Sequence, residues 1–180
     1  MAASALGTAP AWAGQAPMIA VSGHDGRYHM SLELMLRAPV RRVWHVITDY
    51  GAIGRLNPAV KKSVVIRRDG LTVLRMHIRS CVLFICFPVT QTESMTTHGR
   101  RFVRGIIIPE LSSFRSGYSQ WRLRAVPGGT QARFEATLTP AFFIPPLIGP
   151  WLIRGKLVHE MRTTASRLTA WVDAKTPHKA

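Results

Sequence analysis

Acidic residues are scarce in this chain. Nine Asp and Glu stand against 24 Lys and Arg among 180 residues, a formal net charge of +15. That balance excludes an acidic calcium binder and a carboxylate-rich metal site. Cysteine is nearly absent as well. Only Cys81 and Cys86 occur, and no His stands close enough to complete a zinc motif. Long apolar runs are missing: 81–89 and 141–153 are the most apolar stretches, and both are too short or broken by proline for the roughly 20 residues of a spanning helix. There is no Gly-rich phosphate loop, no nucleophile elbow and no H-E-x-x-H. The sequence therefore offers no catalytic motif, and no catalytic residue, metal ligand or cofactor is assigned from these patterns.

The length suits one ordinary domain with a core large enough to need no staple. The charge excess is carried mainly by arginine, 19 Arg against 5 Lys. It leaves nucleic acid, an anionic membrane and an acidic ligand as partners, or a basic compartment with no specific partner. Residues 1–27 read as an Ala-rich arm or the remains of a signal peptide, because Ala11-Trp12-Ala13 has the small-x-small form of a cleavage site. A periplasmic or secreted location follows from that reading, with the cytoplasm as the alternative. Cys81 and Cys86 point to opposite faces of one extended strand but meet across a hairpin with a four-residue tip. Of the two arrangements, free buried thiols are favoured, since cysteine packs as a small hydrophobe.

Residues 28–37 alternate as a strand, with Met30, Leu32, Leu34 and Leu36 on one face. Pro39 opens a helix whose apolar face is Val40, Val43, Trp44 and Ile47, and a second short helical turn spans 53–56. From residue 60 to 140 the period is two. Strands are predicted over 60–68, 71–80, 89–95, 101–108, 116–126 and 131–139, with tight turns at Asp69-Gly70 and Gly128-Gly129. A long helix then runs from Pro145 to about Val172, with Leu147, Trp151, Val158, Met161, Ala165, Leu168 and Val172 as its stripe. Residues 174–180 form a polar tail. Short connections make the sheet antiparallel. One helix held by one curved sheet leaves an apolar space between them.

Val43-Trp44-His45-Val46-Ile47-Thr48-Asp49-Tyr50 resembles the first-helix signature of the START-like superfamily of polyketide cyclase/dehydrase and lipid-transport proteins. Leu56-Asn57-Pro58-Ala59-Val60-Lys61-Lys62-Ser63 is similar to that family's loop into the next strand. Phe114 to Leu123, built on Trp121, resembles its later strand motif, and the closing helix follows in order. The resemblance covers roughly residues 28–172 and lies nearest the coenzyme-Q-binding, cyclase-like subgroup. Ser119 departs from it, where members often carry glycine, and Pro109-Glu110 departs in the run-up to the strand. The resemblance implies an α+β helix-grip fold over 28–173: a sheet of about six to seven strands around the C-terminal helix, with two short helices after the first strand. It also implies an internal cavity for a hydrophobic ligand.

Periodicity places Trp44, Met76, Ile78, Ile106, Trp121, Phe134, Leu157 and Met161 inward as candidate ligand contacts; plain core packing is the favoured role for any single one, and the set as a whole is expected to include cavity wall. Ser119 joins them as a candidate partner for the indole N–H of Trp121. The hairpin tip Leu83, Phe84, Ile85 and Phe87 is wholly apolar, with Arg79 at its base; it is a candidate contact for an anionic membrane, the alternatives being that it folds under the long helix or pairs with a partner chain. Inward polar candidates for catalysis are few: Ser119, Arg104, Gln91 and Glu93. The expected function is non-catalytic binding, with transport, of a lipid or quinone-like molecule. A cyclase or aromatase-like enzyme and a ribosome- or RNA-associated protein are the alternatives. The pattern argues against nucleic acid, because Trp44 and Trp121 face inward and leave no stacking platform. Oligomeric state is not expressed in the sequence.

Overall fold

The computed structural model of the chain describes residues 16–82, 85–144 and 149–174. Eight antiparallel strands form one sheet, in the order β1-β2-β8-β7-β6-β5-β4-β3. They are β1 (Met18–His24), β2 (Arg27–Leu36), β3 (Val60–Arg68), β4 (Leu71–Val82), β5 (Ile85–His98), β6 (Phe102–Ile107), β7 (Phe114–Val126) and β8 (Gly129–Pro140). Between β2 and β3 lie α1 (Val40–Ile47) and α2 (Ile53–Leu56), and the chain closes with α3 (Gly149–Ala174). β2 lies beside β8, while β3 forms the far edge, so α1 and α2 carry the chain from one side of the sheet to the other.

Local chemistry explains the hairpins. Asp25-Gly26 and Asp69-Gly70 have φ of 49° and 72°, and of 51° and 76°. Two successive positive φ values suit a two-residue turn whose twist matches the flanking strands, and Asp and Gly accept that backbone at low cost.

The first of these hairpins lies largely in the stretch expected to be an arm. Met18–His24 is an edge strand paired residue for residue with β2, from Met18 opposite Glu33 to His24 opposite Arg27. Its apolar residues Ile19 and Val21 pack into the core, whereas exposed Met18 and Ser22 weakened the alternation in the sequence. The sheet therefore has eight strands, not six to seven, and the short helices follow its second strand. β5 also extends well beyond 89–95, to Ile85–His98. It pairs with β4 along the whole length, although Pro88 and several polar residues obscure its period.

The buried faces are those the period of two implies. Leu32, Leu36, Leu74 and Ala132 point inward from β2, β4 and β8, with Val43 from α1. Met161, Ala165, Leu168 and Val172 form the buried stripe of α3, spaced by three and four, and α3 lies against β1, β2, β4, α1 and α2. Burial of each larger aliphatic side chain contributes roughly 1.5–3 kcal/mol. Trp151 is not part of that stripe: it is 76% exposed. It stands in the first turn of α3, where the helix has run past the core. Leu147 and the Pro145 start of the expected helix lie outside the described residues.

Cys81 and Cys86 form a disulfide, contrary to the favoured free thiols. They are directly opposed in the β4–β5 ladder, with Cα atoms 4.0 Å apart. Because β4 and β5 continue almost to their shared tip, the two side chains are brought to the same face.

Candidate functional site

A cavity of about 220 Å³ lies between the sheet and α3. Its walls are mainly apolar. β4 supplies Leu74, Met76 and Ile78, β8 supplies Phe134, Ala136 and Leu138, and α3 closes it with Leu157 and Met161. Trp121 of β7 lies opposite Phe134 in the ladder, and their rings meet at 4.9 Å between centroids. The expected candidates Met76, Ile78, Ser119, Trp121, Phe134, Leu157 and Met161 are thus brought together around one cavity.

Two candidates are placed elsewhere. Ile106 is 51% exposed on the outer face, because β6 turns Val103, Gly105 and Ile107 inward. The sequence shows three isoleucines in a row there, so apolarity alone did not reveal the parity. Trp44 is half-buried against the main core, and the cavity side of that region is built by Ile47 and Tyr50 instead. Arg104 also faces outward and lies over the ring of Tyr118, 4.8 Å from its centroid. Of the hairpin tip, Leu83 and Phe84 lie outside the described residues. Phe87 is half-buried and packs edge-on against Phe142, with centroids 5.8 Å apart, so it does not project as expected.

The polar part of the wall is concentrated on β5. Glu93 is 1% exposed. Gln91 Nε2 donates to its Oε1 at 2.9 Å, and Ser119 Oγ bonds its Oε2 at 3.0 Å. Ser119 is therefore engaged by Glu93 and not reserved for Trp121. Burial pushes the Glu93 carboxyl above the ordinary carboxylate range, against the smaller opposing effect of the bonds from Gln91 and Ser119. Neither of those partners is charged, so an ionised carboxylate there would be buried without a counter-ion, which is costly.

Tyr50 is the residue sequence reasoning missed. It follows α1 in a 3-10 turn, Tyr50–Ala52, held by Ser63 Oγ donating to the Tyr50 carbonyl at 2.6 Å. The residue is 8% exposed and lines the cavity, and its hydroxyl is buried without a hydrogen-bond partner among the described residues. Burial raises its pKa above the ordinary 10.0. In the sequence it stood in Asp49-Tyr50-Gly51, which reads only as a helix end. Near α3 the wall also includes Asn57 and Glu160, joined at 3.3 Å, with Lys156 Nζ 2.6 Å from Glu160.

The family model for polyketide cyclase / dehydrase and lipid transport proteins matches residues 27–172. The chain belongs to that family. No curated protein sequence matches it. Among solved structures, the fold of the family member described here is similar to the Zhui aromatase/cyclase of a Streptomyces species, with a TM-score of 0.66 at 13% identity over 83% of this chain and 95% of that one. It is similar also to a STAR-related lipid transfer protein of Xanthomonas axonopodis, with a TM-score of 0.64 at 16% identity over 87% and 98% of the two chains. A protein of Thermus thermophilus superimposes with a TM-score of 0.67 at 18% identity, over 82% and 99%. At such identities the likeness shows the helix-grip fold alone. Family membership supports hydrophobic ligand binding at the level of the superfamily, and its structural neighbours include both cyclases and lipid-transfer proteins.

Proposed function

We propose that this protein binds, and carries without chemical turnover, an apolar small molecule of the lipid or quinone-like class in the cavity between the sheet and α3. The observation that carries the reading is that cavity: about 220 Å³, lined chiefly by Met, Leu, Ile, Trp and Phe side chains in a core that is otherwise packed. Drug-sized ligands occupy roughly 300–1,000 Å³. The space therefore suits a small ring compound, or the leading part of a longer molecule whose remainder leaves past α3.

Two features support loading from an anionic membrane. Phe143 and Trp151 are 83% and 76% exposed on the segment before α3 and on its first turn, and exposed Arg154 and Arg162 follow along the helix. Exposed Arg79, Arg104, Arg122 and Arg124 extend the basic coat over the outer face of the sheet. The Cys81–Cys86 disulfide supports an oxidising compartment, periplasmic or extracellular.

A second reading, cyclase-like turnover, is favoured by one observation. Glu93 and Ser119 converge in the cavity, and a cyclisation needs such groups to move a proton.

Purification without detergent, followed by organic extraction and mass spectrometry, tests the first reading. It expects one apolar compound per chain, recovered unaltered after incubation. Ala136→Leu, which narrows the cavity, is expected to lower that recovery. A chain that neither carries nor takes up any apolar compound overturns the proposal, and release of a chemically changed product favours the second reading.

A further inference from the structure

The cavity wall is mainly apolar, with one polar group near α3 around Asn57 and Glu160 and another around Glu93, and a proton count on the second specifies what a ligand must bring to it. Glu93 is buried with two uncharged partners, which favours its protonated form; in that form it carries one O–H, and Ser119 carries another. They share a single hydrogen bond. Whichever of the two oxygens donates in that bond, one O–H remains unused. Gln91 meets this carboxyl through Nε2, a donor that cannot accept the O–H. The hydroxyl of Tyr50 is a second buried O–H without a partner among the described residues. Its residue is more than nine-tenths buried, on the wall of the same cavity. Leaving a buried hydroxyl unpaired costs about 1–3 kcal/mol.

We propose that Glu93 with Ser119, and Tyr50, form a donor subsite that recognises a neutral acceptor oxygen on the ligand, of the carbonyl type. The inference rests on the ligand-binding reading above and deepens it. It selects, among apolar molecules of suitable size, those that place a ketone or quinone oxygen at this end of the cavity. A pure hydrocarbon leaves both O–H groups unpaired. A carboxylate brings a second acid against Glu93, with no cation among that residue's hydrogen-bond partners to offset it. The subsite orients the ligand and requires no bond to form or break.

The test is calorimetric titration of the purified chain with three compounds that share one ring skeleton: naphthalene, naphthoquinone and naphthoate. Naphthoquinone is expected to bind roughly ten-fold or more tightly than naphthalene, as one well-made buried hydrogen bond implies, and naphthoate most weakly. Tyr50→Phe keeps the ring and removes only the hydroxyl. It is expected to reduce the quinone-over-hydrocarbon preference several-fold. Ser119→Ala tests the other arm independently and should act in the same direction. Equal affinity for naphthalene and naphthoquinone, or a preference that survives both substitutions, overturns the donor subsite and leaves the apolar cavity reading standing. Failure of all three compounds to bind overturns the donor subsite, and it overturns the ligand reading too where extraction recovers no apolar compound from the chain.

Discussion

Glu93 on β5 and Ser119 on β7 share a hydrogen bond of 3.0 Å although β6 lies between their strands. Gly105 of β6 makes this possible. It pairs with Met95 on one side and Ser119 on the other, and a methyl group there would strike the Glu93 carboxyl and the Met95 sulfur. Gly105→Ala is therefore expected to push the carboxyl off Ser119 and to destabilise the chain by about 1–3 kcal/mol. Urea denaturation measures it. In a double-mutant cycle with Ser119→Ala the losses should be less than additive, because either change breaks the same bond. Additive losses would show that the bond is not what Gly105 protects.

The buried acid also sets a pH dependence. The folded-state pKa of Glu93 is raised above the ordinary 4.5, chiefly by burial. Below the ordinary value both folded and unfolded chains hold the proton, and the folded state bears no penalty. As pH rises past it, the unfolded chain releases the proton first. Stability then falls until the folded-state pKa is passed. Relative to Glu93→Gln, the native chain should lose stability across that window with a slope approaching about 1.4 kcal/mol per pH unit. Paired denaturation curves through the acid and neutral range check this. A difference that does not vary with pH would mean that Glu93 ionises as readily folded as unfolded.

The Cys81–Cys86 bond closes a short loop, with a sequence separation of 5. Chain-entropy arguments give such a loop about 2 kcal/mol. Replacing both cysteines with serine is expected to lower stability by up to that amount while the cavity still binds its ligand, since neither cysteine lies on the cavity wall. Alkylation with mass spectrometry should find no free thiol before reduction and two after it. Labelling of both cysteines in the unreduced, folded chain would contradict the bond.

Membrane loading is tested on the exposed aromatics. Phe143→Ser with Trp151→Ser is expected to weaken co-sedimentation with vesicles containing anionic lipid by roughly ten-fold or more, since burying one large apolar side chain is worth about 1.5–3 kcal/mol. Binding should fall with added salt and be weak on neutral vesicles. Vesicle binding that ignores both the substitutions and the lipid charge would remove this face from the loading step.

Much of the fold was legible because strands and helices leave different periods. Leu74, Met76 and Ile78 alternate with Arg75, His77 and Arg79, and that alternation alone identifies the inner face of β4. Met161, Ala165, Leu168 and Val172 likewise mark the stripe of α3. The order of elements after the first strand and the Asp69-Gly70 turn follow from local chemistry, whereas the Asp25-Gly26 turn lay in the stretch read as an arm. Parity failed where neighbouring residues are alike, as with Ile106 among three isoleucines. Periodicity was blurred in β1, an edge strand with little of itself to bury.

The sequence by itself determined that one curved antiparallel sheet would close on one helix around an apolar space, because burial patterns are written locally along each element. What that space contains was decided only by tertiary structure. The two cysteines became a bond because the register of β4 against β5 sets them opposite each other. Glu93 became a buried acid because a glycine on the intervening strand lets it reach Ser119. Tyr50, at a helix end, became part of the cavity wall because the 3-10 turn folds it inward. Each of these depends on the distance between residues far apart in the chain, and no local period encodes it.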